Sequence, residues 1–270
     1  MTDNRLKLSK SQNAFESPLI CLLSCLLFVM FFSACATTPS QEDLNQSEAH
    51  NKLGFSYLRN EQLNEAFVEF QKAIRVNPEN KEALNYLGYI SSEFNKHDEA
   101  ISYYNRAISV DPEYAGAQNN LGVTYAKLEK WNEAARYFKA ALSNPTYATP
   151  ERAYSNLGYA YYMMQDYAKA EEALKEALIR NPVLLDAIYI LGLVYTKIND
   201  DSMAIQEFKR AIGIMPNYVD AHWEIANAYL RTGERAKALK HFEMVMEKGG
   251  DTEKIRKASQ QIELLKYNSK

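Results

Sequence analysis

The stretch Asn51-Lys52-Leu53-Gly54-Phe55-Ser56-Tyr57-Leu58 decides the fold, because its Leu-Gly returns along the chain. It comes back as Leu87-Gly88, Leu121-Gly122, Leu157-Gly158 and Leu191-Gly192, with Ile225-Ala226 in the sixth place, at steps of 34, 34, 36, 34 and 34 residues. A period of that length is the mark of a stacked array in which each unit is one supersecondary motif. Working outward from Leu53-Gly54, the companions are Tyr57, Ala66, Phe70, Ala73 and Pro78. In the fifth unit they are Tyr195, Ala204, Phe208, Ala211 and Pro216. Apolar residues three and four apart predict two helices per unit. A mid-helix Gly costs about 1 kcal/mol relative to Ala, so its return at each period predicts a close helix–helix approach. Ala66, Ala100, Ala134, Ala170, Ala204 and Ala238 suit the other side of that contact. Pro78, Pro112, Pro182 and Pro216 fall between units, where proline stops a helix. Asn77, Asp111 and Asn181 before three of them suit turns.

This pattern resembles the tetratricopeptide repeat over residues 47–250. The resemblance implies an all-α, right-handed α-solenoid of six repeats. One unit cannot bury its apolar face alone, and an array needs a polar-backed end. Residues 251–270 supply a capping helix and tail. Ile255, Ala258, Ile262 and Leu265 would cover the sixth unit, while Lys254, Arg256, Lys257, Glu263 and Lys266 would face water.

Residues 1–34 differ from the rest. Arg5, Lys7 and Lys10 precede the apolar run from Leu19 to Phe32, and the small residues Ser33 and Ala34 follow. The run is shorter than the roughly 20 residues of a membrane-spanning helix, and the order positive, apolar, small is that of a secretory signal peptide. Phe32-Ser33-Ala34-Cys35 resembles the lipobox of bacterial lipoproteins, with Phe where Leu is usual. That resemblance implies cleavage before Cys35 and lipidation of its sulfur. Cys21 and Cys25 lie in the removed segment, so one Cys would remain and no internal disulfide could form. Ala36 rather than Asp after the Cys implies the outer membrane, with the chain facing the periplasm. Residues 35–46 are then the lipidated Cys and a flexible tether, whose eleven residues after Cys35 span at most about 36 Å.

The 270 residues carry 31 basic and 34 acidic side chains with both signs interspersed. No basic block points to nucleic acid. His50, His97, His222 and His241 are scattered with no metal-binding spacing, and there is no phosphate loop or nucleophile elbow. Asp200-Asp201 fits a solvated turn better than a metal site. The chain therefore reads as a non-enzyme with no cofactor, no metal and no small-molecule substrate.

In tetratricopeptide proteins the first helix of each unit lines a concave groove. Carried onto this chain, the groove holds Asn51 and Phe55, Asn85 and Tyr89, Asn119, Tyr159 and Tyr162, Tyr189, and Trp223 and Asn227. Ser92, Val123, Lys127, Arg152, Ser155, Leu193, Thr196 and Leu230 fall on the same face. Asn51, Asn85 and Asn119, each 34 apart, are expected to form a column able to hydrogen-bond a peptide backbone. Tyr and Trp offer rigid contacts with a polar tip. The alternative is a plain solvated face, since 19 Tyr residues weaken any single one as a signal. The Lys-rich carboxylate clamp of chaperone adaptors is missing, because Asn51 and Phe55 stand in its places.

The 36-residue step carries Tyr147-Ala148-Thr149-Pro150-Glu151-Arg152-Ala153. Thr149 suits an N-cap, Pro150 a first turn, and Tyr147 a surface feature. This segment, six repeats and a lipobox together resemble the type IV pilus pilotins, the PilF/PilW/Tgl lipoproteins. The resemblance implies a scaffold that binds a secretin subunit and promotes its assembly. Two other readings stand beside it: a lipoprotein adaptor for peptidoglycan enzymes or envelope proteases, and an enzyme whose site has no motif.

Overall fold

The computed structural model describes residues 39–249 and 252–267. Within them the chain forms thirteen helices and no strand. They are α1 (Gln41–Arg59), α2 (Leu63–Val76), α3 (Lys81–Glu93), α4 (His97–Val110), α5 (Ala115–Lys127), α6 (Trp131–Leu142) and α7 (Pro150–Met163). Then come α8 (Tyr167–Arg180), α9 (Leu185–Lys197), α10 (Asp201–Ile214), α11 (Val219–Arg231), α12 (Arg235–Lys248) and α13 (Thr252–Tyr267). Twelve of them pair in sequence as six helical hairpins stacked into a solenoid, and α13 packs on the last.

The seam inside each pair explains the recurring glycine. A Cβ added at Gly88 would lie 2.6 Å from Tyr104, and one at Gly192 would lie 2.5 Å from Phe208. Phe70, Tyr104, Phe138, Leu174, Phe208 and Phe242 occupy this place in successive pairs and are fully or almost fully buried. Each such side chain contributes roughly 2–3 kcal/mol by leaving water. The sixth pair tolerates Ala226, which is itself fully buried.

The turn inside each hairpin places one residue in the left-handed region: Glu61, Asn95, Glu129, Gln165, Asn199 and Gly233, with φ between 57° and 80°. Five of these six carry a side chain, which costs about 1 kcal/mol or more there. Four of the five junctions between hairpins are turns stapled by a side chain. Asn77, Asp111 and Asn181 each accept a hydrogen bond from the backbone N–H two residues on. Asn144 does the same at the long step, with Thr146 N–H at 2.8 Å.

Three expectations change. Helix α1 begins at Gln41, so Gln41–Gln46 are helical rather than part of the flexible tether assigned to residues 35–46. The segment Gln41–Gln46 has good helix formers, and Ser47 of the next turn is buried, donating to Ala73 O at 2.9 Å. Thr149 makes no side-chain capping bond, although Pro150 does open α7. Tyr147 is partly buried in the structure rather than projecting. Most of the cap behaves as read: Ala258 and Leu265 are buried, Ile255 and Ile262 partly so, and Arg256, Lys257, Glu263 and Lys266 are exposed, but Lys254 is partly buried against Asp220, and Leu264 and Tyr267 also face water.

Candidate partner-binding groove

From the second hairpin to the sixth, first helices touch the first helices of neighbouring hairpins: α3 touches α5, α5 touches α7, α7 touches α9 and α9 touches α11. The second helices make no comparable contact with each other. Stacking that is tighter along one side curves the array toward it, so the first helices line the concave face.

Two rows run along this face. The first holds Asn51, Asn85, Asn119, Ser155, Tyr189 and Trp223; the second, one residue on, holds Lys52, Tyr86, Asn120, Asn156, Ile190 and Glu224. The expected column of Asn51, Asn85 and Asn119 does not bond within itself. Instead Asn120 Nδ2 donates to Asn85 Oδ1 at 3.0 Å, and Asn156 Nδ2 donates to Asn119 Oδ1 at 3.3 Å. The ladder is therefore diagonal, from the second row of one hairpin to the first row of the preceding one. Asn85 is buried by it, and Asn51 Oδ1 is buried without a partner. Lys127 continues the bridging, reaching Glu93 at 3.0 Å and Ser92 at 3.3 Å.

The aromatic candidates divide. Phe55, Tyr89 and Tyr159 are 43%, 39% and 38% exposed. Phe55 leans on Tyr86 at 5.7 Å between ring centres. Leu58, Leu63, Tyr86, Tyr89 and Asn120 surround a groove cavity of about 590 Å³. Farther along, Trp131, Tyr159, Tyr162 and Tyr167 form a chain of rings at 5.7, 6.4 and 6.0 Å. Tyr189 is partly buried against Tyr218 and Phe208, and burial pushes its hydroxyl pKa up. Trp223 packs edge-on against Phe242 at 5.5 Å, and Asn227 donates to Trp223 O at 2.8 Å. These two serve the fold at least as much as the groove. Asn120, Asn156, Tyr86 and Glu224 belong to the site and were not singled out from the sequence; counting one residue past each first-row position would have found them.

The remaining candidates are structural. Asp200 caps α10 by accepting from Met203 N–H, and Asp201 pairs with Arg231 at 2.6 Å. His50 bonds Glu69 at 2.7 Å. His222 Nε2 faces Pro216 O at 2.9 Å and its Nδ1 faces His241 Nδ1 at 2.9 Å. Among the described residues no cluster of His, Cys, Asp or Glu could hold a metal ion, and no helix is long and apolar enough to cross a membrane. Cys35 lies outside the described residues.

Models of the tetratricopeptide repeat match residues 51–108, 93–129, 119–151, 151–182 and 192–233. No curated protein sequence matches the chain. Among solved structures, PilW, described as a widely conserved type IV pilus biogenesis factor, superposes with a TM-score of 0.70 at 23% identity, over 74% of this chain and 92% of its own. Pseudomonas aeruginosa PilF superposes with a TM-score of 0.74 at 18% identity, over 82% of this chain and all of its own. MamA is 32% identical over 60% of this chain and 94% of its own, with a TM-score of 0.56.

Proposed function

Because the chain belongs to the tetratricopeptide-repeat family, we propose that it is a lipid-anchored scaffold on the periplasmic side of the outer membrane that binds a secretin subunit and promotes its assembly in type IV pilus biogenesis. The observation that supports this reading is that 92% of PilW and all of PilF superpose on this one chain. Repeats of this kind imply protein–protein interaction, and the scaffold is typically non-catalytic. The sequence adds the anchor, through Phe32-Ser33-Ala34-Cys35. Several acyl chains on Cys35 would hold the array at the membrane far more firmly than a single chain does. The groove would then engage an extended or helical segment of the partner through the Asn ladder and the exposed Phe55, Tyr89 and Tyr159.

The test is the count of detergent-resistant secretin multimers in cells lacking this protein and in cells carrying variants. Loss of multimers in its absence and their return with the wild-type chain are expected. Normal multimers without the protein would overturn the reading. Co-purification of a murein hydrolase or an envelope protease in place of a secretin would favour the adaptor reading. Cys35→Ala is expected to release the chain from membranes or block its processing; normal membrane fractionation of that variant would remove the anchor.

A further inference from the structure

Where the fourth hairpin meets the fifth, Glu171 of α8 accepts from the hydroxyl of Tyr195 at 3.1 Å and from Lys175 at 2.6 Å. Phenol, carboxylate and ammonium close on one another. One period of 34 residues later, where the fifth hairpin meets the sixth, the same three places hold Tyr229, Ile205 and Lys209. The phenol and the ammonium return, and the carboxylate between them does not. Lys209 Nζ stands 5.7 Å from the centre of the Tyr229 ring and makes no ion pair among the described residues. Tyr229 is 3% exposed, and its hydroxyl has no hydrogen-bond partner among the described residues.

A cavity of about 690 Å³ opens at this place, lined by Tyr229, Ile205 and Lys209. It lies between the second helices α10 and α12, on the side away from the groove. Ser202 and Gln206 share a face of α10 with Lys209 and line the cavity too. Neither of these side chains makes a hydrogen bond among the described residues. From α12, Lys237 stands 5.3 Å from the same ring. The acid of the wall, Glu234, is taken by Lys237, and Arg210 is taken by Glu207. Lys209 is therefore left without a counter-charge beside a buried hydroxyl without an acceptor, and both are costly to leave so. One hairpin earlier the arrangement differs. Lys139 and Lys169 stand 5.3 and 5.6 Å from the Tyr161 ring, with Ala135 in the place of Glu171. There the smaller cavity, of about 450 Å³, has Glu172 and Glu176 in its own wall.

We propose that the cavity at Tyr229 is a binding site for a carboxylate, brought by an acidic side chain of a partner or by a small organic acid. The bound group takes the place that Glu171 holds one period before: it accepts from the Tyr229 hydroxyl and pairs with Lys209. Carboxylate fits better than phosphate because the same phenol and ammonium already hold one at Glu171, and because one uncompensated ammonium matches one negative charge. The site stands apart from the groove, so both can be filled at once.

The test is 19F NMR of the full chain in detergent, labelled with 3-fluorotyrosine, in a buffer free of carboxylate and phosphate. Loss of a signal in Tyr229→Phe assigns Tyr229. The probes are glutarate and acetyl-Ala-Ala-Glu-Ala-Ala-amide, and the controls are glutaramide and the same peptide with Gln for Glu. An acid probe is expected to shift the Tyr229 signal and to bind about tenfold more tightly than its amide. Preference for the peptide identifies a partner's side chain as the source, and preference for glutarate a small organic acid. Lys209→Met is expected to abolish the advantage of the acid while circular dichroism stays unchanged. Ile205→Glu, which rebuilds the triad of the preceding period, is expected to close the site from within. Equal binding of acid and amide, an advantage that survives Lys209→Met, shifts confined to other tyrosines, or tighter binding of inorganic phosphate than of either acid would each overturn the proposal. None of these outcomes bears on secretin assembly, which is read separately.

Discussion

Along the seam inside each hairpin, the same side chains return: Gly54, Gly88, Gly122, Gly158 and Gly192 on one side, and Phe70, Tyr104, Phe138, Leu174 and Phe208 on the other. Along the groove, the equivalent row runs Asn51, Asn85, Asn119, Ser155, Tyr189, Trp223. Both rows belong to the same helices and share the same period. What differs is the constraint. At the seam a glycine faces a buried side chain, a ring in four pairs and Leu174 in the fourth, at the distance of a missing Cβ, so few solutions fit and only the sixth pair uses an alanine. In the groove each side chain meets a neighbour one hairpin away and solvent on the other side, so the row is free to vary with what it must bind. Repetition marks what holds the array together, and departure from repetition marks what distinguishes this array from others.

The sharpest way to break that contrast is to disturb one residue from each row. Gly192→Val puts carbon atoms inside the space of the fully buried Phe208, and the ring cannot leave without opening a cavity. A loss of about 2–3 kcal/mol or more is expected, read as a fall in the urea midpoint. Tyr159→Ala in the groove is expected to cost less than about 1 kcal/mol of stability, while weakening partner binding by roughly thirtyfold if it is a binding anchor. Equal loss of stability from the two would dissolve the distinction.

The second test concerns the end of the seam. Removing α13 uncovers the last hairpin by withdrawing Ala258 and Leu265. Leu265→Ala alone is expected to cost about 2–3 kcal/mol, the low end for a buried leucine because it lies on the terminal helix, and the full deletion more. Unchanged thermal unfolding of the deletion would mean that α13 is no cap.

A third test uses acidity. His222 Nε2 faces a carbonyl, so in the neutral ring that nitrogen carries the hydrogen, and His241 Nδ1 must donate to the lone pair on His222 Nδ1. Burial, then the neighbouring His222, Lys240 and Lys209, lower the pKa of His241 to about 4. The folded state therefore binds fewer protons than the unfolded one. Stability is full above the unfolded histidine value near 6.5 and is lost as the pH falls through 4, by roughly 2–3 kcal/mol. His241→Phe is expected to flatten that part of the pH profile. A wild-type profile already flat between pH 6.5 and 4 would refute the paired-imidazole account.

The smallest effect is a gain. Glu129 occupies a left-handed position that Gly233 fills in the sixth hairpin. Glu129→Gly is expected to stabilise the chain by about 0.5–1 kcal/mol, as relief of the side-chain strain exceeds the extra entropy of glycine. A measured loss would show that these turns are not strained.

The period, the hairpin topology, the seam and the cap were all legible in the sequence, because each depends on spacing within one unit. Leu53-Gly54 and Phe70 are close enough in sequence for helical geometry to fix their meeting. The diagonal of the groove was not legible. Asn85 and Asn119 are one period apart, yet Asn85 meets Asn120, because successive hairpins are rotated against each other as they stack. Counting one residue past each first-row position finds the second row, but which first-row residue it meets is a property of the packing. Glu224 was passed over because it looks like one more surface carboxylate, although it stands one residue past Trp223 in the second row and is partly buried. Thr149 misled in the opposite way: its residue type suits a cap, but the turn before Pro150 is held by Asn144 instead.

The long step between the third and fourth hairpins has one more consequence. Two extra residues shift the sequence out of phase there, so that Asn119 and Asn156 are 37 apart where Asn85 and Asn120 are 35. In space the phase does not slip: both pairs make the same bond, at 3.3 and 3.0 Å. The loop absorbs the surplus on the outside, as an escapement lets a wheel turn without moving the hands. A ligand laid across the third and fourth hairpins would meet the same spacing as one laid across the second and third, while the chain that builds it miscounts.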